Sequence, residues 1–155
     1  ASFFYGPGRM LRYLRGQGEA QEHVGHNPLG ALSVFALLGA LLAQVLTGLM
    51  ADDEIAFSGP LTRFVSGDTV AWATSLHTDV GQWLLVALVA LHLAAIAFYT
   101  HIKRHSLVRP MVLGDKQLPA STPASRDDAR TRLLAAVVLA AAAAAAWWVA
   151  QLGVF

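Results

Sequence analysis

Two stretches of this chain, Leu29–Met50 and Val80–Thr100, each run for more than twenty residues without a formal charge. A bilayer core about 30 Å thick is crossed by about 20 mainly apolar residues rising 1.5 Å each. Lipid offers no hydrogen bonds, so a backbone that crosses it as a single segment must pair its own N–H and C=O groups as a helix. The polar side chains of the first stretch are Ser33, Gln44 and Thr47, and the second contains Gln82 and His92. A third stretch, Leu133–Phe155, is weaker because its Ala140–Ala146 tract is only mildly hydrophobic. Trp147 and Trp148 near its far end suit an interfacial anchor or a packing surface for a partner helix. The composition agrees: 55% of residues are hydrophobic and 14% charged, against about a quarter charged in ordinary soluble domains. The expectation is an all-α integral membrane protein with three spans in this chain.

Orientation follows from the basic residues, which favour the cytoplasmic side of short loops. Arg9, Arg12 and Arg15 precede the first span, and Lys103, Arg104, Arg109, Lys116, Arg126, Arg130 and Arg132 separate the second from the third. Between spans one and two the sole basic residue is Arg63, beside Asp52, Asp53, Glu54, Asp68 and Asp79. That loop is expected in the periplasm of a bacterium, in a multi-pass protein of the inner membrane with a cytoplasmic N-terminus and a periplasmic C-terminus.

The chain then divides into a basic segment at 1–28, a membrane core at 29–116 with spans near 29–50 and 76–100, a polar linker at 117–130 and an additional helix at 131–155. Asn27-Pro28 suits the start of a helix, with asparagine as cap and proline in the first turn. Ser58-Gly59-Pro60 and Ser66-Gly67-Asp68 read as turns, with a short interfacial helix expected at Pro60–Val65.

The chain has six histidines and no cysteine, so a cofactor would be held by histidine, carboxylate, methionine or backbone. On a helical wheel, with the second helix continued one turn outward, His92 lies about 60° around and about 22 Å along from His77. Gly81, Leu84, Leu88, Ala95 and Tyr99 share that stripe. His101 and His105 face elsewhere, beside Lys103 and Arg104, and read as residues of the basic membrane border, as His23 and His26 read as structural. An imidazole in lipid is expensive unless it meets a partner. One solution is ligation of haem iron, whose macrocycle needs apolar walls and small residues such as Gly81 and Ala95 against it. The other is an interhelical hydrogen bond. Spacing alone leaves both open. Gln44 and Thr47 are expected to bond to neighbouring helices, or to meet a quinone head group.

The segments "GHNPLGALSVFALLGALLAQVLTGLMADD" at 25–53, "LH" at 76–77, "LVALH" at 88–92 and "RHSLVRPMVLGDK" at 104–116 together resemble the bacterial di-haem cytochrome b561 family. That family includes the cytochrome b subunits of nickel–iron hydrogenases. The resemblance covers about residues 3 to 116 and corresponds to the family's C-terminal half. It implies a larger four-helix bundle holding two b-type haems, with His77 and His92 as axial ligands of the haem iron. Two helices that family members carry upstream are not in this sequence, which begins with Ala1. They would come from the same precursor, from another chain or from a dimer mate.

The implied function is transmembrane electron transfer between the quinone pool and a redox partner such as a c-type cytochrome or a hydrogenase. Haem b is the expected cofactor, with quinone as a second ligand and the lipid bilayer as surroundings; a nucleic-acid partner is not expected. No nucleophile or acid–base constellation stands out, so the chain reads as an electron-transfer subunit of an oxidoreductase rather than an independent catalyst. The competing readings are a haem-free membrane anchor of a respiratory complex and, more weakly, a metal or proton transporter using His92 with Asp79.

Overall fold

The computed structural model describes residues 4–17, 27–104, 107–114 and 127–153. His23, His26 and His105 lie outside them, as does most of the linker expected at 117–130. The elements are α1 (Pro7–Leu14), α2 (Pro28–Met50), α3 (Gly67–Ile102), α4 (Val108–Leu113) and α5 (Ala129–Gln151). Among the described residues there is no strand beyond one isolated bridge between Asp52 and Ser58. Three of the helices, α2, α3 and α5, are long and apolar enough to cross a membrane. The chain is an all-α membrane protein.

The start of α2 follows from Asn27-Pro28. Asn27 Oδ1 accepts from the Gly30 N–H at 2.7 Å, and the Asn27 carbonyl accepts from Ala31 N at 2.9 Å. Proline at the first helical position sacrifices no donor, because that N–H has no intrahelical acceptor.

The second long helix departs from expectation at its outer end. It begins at Gly67, well before the apolar run at Val80. Ser66 caps it, accepting from Thr69 N at 3.3 Å, and Asp68 sits in the first turn, where the helix dipole favours a negative charge. The turn signal at Ser66-Gly67-Asp68 is thus itself the helix start. At 36 residues the helix is about 54 Å long, far more than the hydrocarbon core requires. Its polar first turns, with Asp68, Thr69, Thr74 and Ser75, can stand outside lipid. The helix also widens to a π turn at Leu76–Gly81 and again at Phe98–Ile102. The first widening falls on His77, so a wheel drawn at uniform α geometry does not hold there.

By contact the chain forms two units, residues 1–43 with 81–118 and residues 44–80 with 119–155. In the first, the Tyr13 and Tyr99 hydroxyls lie 2.9 Å apart and join α1 to α3. The rings of Phe4 and Phe35 meet at 5.4 Å. In the second, the segment after α2 folds back over that helix's end. Leu61 N donates to Leu49 O at 2.9 Å and Gly59 N to Ala51 O at 2.8 Å, which satisfies carbonyls that a helix C-terminus leaves unpaired. A Cβ at position 59 would collide with the Leu49 carbonyl, so this close crossing requires glycine. The helix expected at Pro60–Val65 is instead a single 3₁₀ turn, Thr62–Phe64, because the backbone before it, at Gly59 and Leu61, caps α2 and Ser66 after it caps α3.

In the same loop the Asp53 carboxylate accepts N–H groups of Phe57, Ala56 and Ile55 at 2.8, 2.9 and 3.0 Å. Helix α5 begins at Ala129, two residues before the expected 131, because Asp128 caps it with a 2.8 Å bond from Thr131 N. Arg130 and Arg132 therefore lie inside its first turn.

Among the described residues the buried apolar ones are few and small: Pro28, Ala31, Ala51 and Ala73. Large apolar side chains such as Leu38, Leu42, Trp83, Leu91 and Leu139 are exposed. Helices meeting through small residues and showing large ones outward is the pattern of membrane packing, where lipid is as apolar as the side chain.

Candidate functional site

His77 sits in the π turn of α3, half-buried against α2. Its Nδ1 lies 3.1 Å from the Gln44 carbonyl oxygen and 3.3 Å from Thr47 Oγ1. A carbonyl can only accept, so the bond to Gln44 requires the proton on Nδ1 and leaves Nε2 with its lone pair. The arrangement is reciprocal, since Gln44 Nε2 donates to the His77 carbonyl at 3.3 Å. Thr47, only 5% exposed, donates its hydroxyl to the Gln44 carbonyl at 3.3 Å. The expectation that Gln44 and Thr47 bond to a neighbouring helix is met at His77, Gln44 at that residue's main-chain carbonyl and Thr47 at its ring.

Gly48 makes the approach possible. A Cβ there would come within 2.9 Å of His77 Cε1 and 3.3 Å of Nδ1. The imidazole therefore lies on bare α2 backbone.

His92 is also half-buried, on the α-helical part of α3. Its Nδ1 is 3.1 Å from Ser33 Oγ. A hydroxyl can donate or accept, so this contact permits either tautomer. For each histidine, no described residue hydrogen-bonds Nε2.

The two histidines thus share one device: Nδ1 turned to a polar group of α2 and Nε2 without a hydrogen bond among the described residues. Metal-ligating imidazoles are commonly held in this way, with the second ring nitrogen donating to a carbonyl or other acceptor that fixes ring orientation and raises ligand basicity. Among the described residues no three His, Cys, Asp or Glu side chains converge on one point. Either histidine could hold a metal only as one donor in a set completed by other groups. A macrocycle that brings its own equatorial nitrogens is such a group.

Other stripe residues have different fates. The Tyr99 hydroxyl is occupied by Tyr13, and Ala95 is exposed. Asp79 accepts from Thr78 at 2.8 Å and Ser75 at 3.0 Å, both on its own helix. His101 is exposed in the second π turn. Sequence reasoning noted Ser33 only as a polar residue of the first span, and it missed Gly48.

The prokaryotic cytochrome b561 family matches residues 9–114, slightly narrower at both ends than the motifs suggested. Neither the curated proteins nor the solved structures include a significant match. The family match spans well over half of the chain, across α1 to α4 and both histidine positions. Together with three helices apolar enough to span a bilayer, it identifies the chain as a member of the prokaryotic cytochrome b561 family, membrane proteins that transfer electrons on b-type haem.

Proposed function

We propose that this chain passes electrons across a bacterial inner membrane between the quinone pool and a redox partner, with His77 and His92 each ligating the iron of one b-type haem. The observation that carries the reading is the orientation of the rings. The Gln44 carbonyl takes the proton of His77 Nδ1, which leaves Nε2 available to iron, and the Ser33 hydroxyl at His92 Nδ1 is compatible with the same tautomer.

The residues present suit that cofactor. Gly48 lets the His77 ring approach α2 closely, and Gly81 and Ala95 are small residues near the histidines in sequence. When bound, haem supplies a one-electron couple at its iron. The chain's own residues orient the axial imidazole, set its basicity and exclude water with apolar side chains. Any further donor to the iron would come from other helices.

The basic residues beside α1 and α4 favour the cytoplasmic face for those segments, and the acidic loop with Asp52, Asp53 and Glu54 suits the periplasm. His77 then serves the outer haem and His92 the inner one. A c-type cytochrome or a hydrogenase suits the role of redox partner.

The test is the visible spectrum of the complete membrane complex, oxidised and then reduced with dithionite. Bands of a b-type haem are expected. A complex that is folded and pure yet without such bands would refute the proposal in favour of a haem-free anchor.

A further inference from the structure

Nδ1 of His77 and Nδ1 of His92 meet different kinds of polar group on the same helix, and with Nε2 on iron each Nδ1 would carry the proton and donate to it. At His77 it is a main-chain carbonyl, supported by the buried Thr47 hydroxyl. No side-chain substitution removes that carbonyl. At His92 it is a single side-chain hydroxyl, Ser33 Oγ at 3.1 Å.

An imidazole whose N–H donates to a strong acceptor takes on anionic character and becomes a better donor at its other nitrogen. A better axial donor stabilises ferric over ferrous iron and lowers the reduction potential; axial ligation and its hydrogen bonding are among a protein's main means of tuning haem. A carbonyl oxygen accepts more strongly than a serine hydroxyl, which has its own proton to place.

Resting on the haem reading above, we infer that Ser33 is a positioning and tuning residue for the haem at His92, and that α2 tunes the two haem positions unequally through the Gln44 carbonyl and the Ser33 hydroxyl. The His92 position is the adjustable one, because its acceptor belongs to a side chain. Ser33 touches the ligand and not the iron, so its effect is on electron affinity and ring orientation.

The experiment is a potentiometric titration of the haem bands in the complete complex, comparing the wild type with Ser33→Ala and Ser33→Thr. In Ser33→Ala, one of the two haem potentials should rise, with ferrous iron favoured by up to about tenfold, equivalent to about 59 mV for a one-electron couple. The other potential should stay in place, and Ser33→Thr, which keeps the hydroxyl, should restore the wild-type value. Unchanged potentials in Ser33→Ala would overturn the inference, and so would both moving together. Loss of a haem that Ser33→Thr fails to restore would also overturn it, because the residue would then be needed for packing alone. A wild-type complex without b-type haem would instead defeat the functional reading on which the inference rests.

Discussion

The His77 imidazole rests on Gly48, where an added Cβ would come within 2.9 Å of Cε1. Two helices can approach this closely only where one of them has no side chain. Gly48→Ala should therefore push the ring away from the Gln44 carbonyl. Overpacking of this kind costs about 1–3 kcal/mol, and the loss should fall on one haem. Haem content per chain, measured by absorbance of the purified complex, should drop towards half in Gly48→Ala and further in Gly48→Val.

The hydroxyl of Thr47 is the next most local probe. It lies 3.3 Å from His77 Nδ1 and is almost fully buried. Thr47→Val keeps the shape and removes one hydrogen-bonding group, a change of about 0.5–1.5 kcal/mol for a neutral bond. Both haems should be retained, with slightly lower thermal stability. A loss of haem as large as in Gly48→Ala would show that Thr47, and not the Gln44 carbonyl, is the main anchor of the ring.

Three apolar spans were readable from length and hydropathy, because lipid thickness and backbone pairing leave few alternatives. The outer end of α3 was not. A polar helical start such as Ser66 to Ser75 carries no hydropathy signal, and a π turn inserts an extra residue without any composition of its own. The partner of His92 was missed for a related reason: Ser33 becomes informative only once α2 and α3 are paired. A spacing clue existed, since Ser33 and Thr47 are 14 apart while His77 and His92 are 15 apart. The mismatch of one is what a single π insertion absorbs.

The loop after α2 has its own pH response. Hydrogen bonds from the Phe57, Ile55 and Ala56 N–H groups hold the Asp53 carboxyl below its ordinary value of 3.8. A depressed carboxylate contributes order that is fully present above 3.8 and is lost as pH falls through the lower folded value. Amide NMR shifts of residues 55–57 in detergent-solubilised protein should stay constant above that range and move below it. In Asp53→Ala the transition should be absent, and the loop should resemble the acid form at all pH values.

The start of α2 depends on Asn27, whose Oδ1 accepts from Gly30 N at 2.7 Å. Loss of an asparagine cap costs about 1 kcal/mol. Asn27→Ala should lower the thermal midpoint of the purified complex, and Asn27→Asp or Asn27→Ser should recover most of the loss. Haem potentials should remain unchanged in all three, since the cap touches neither histidine.

The most direct test of the central claim, that His77 and His92 each hold one haem, is haem stoichiometry in the intact complex. It would compare the wild type, His77→Ala, His92→Ala and the double variant, each verified as assembled. The account predicts two b-type haems per bundle in the wild type, one in each single variant with distinct spectra or potentials, and none in the double variant. Retention of both haems in either single variant would contradict it.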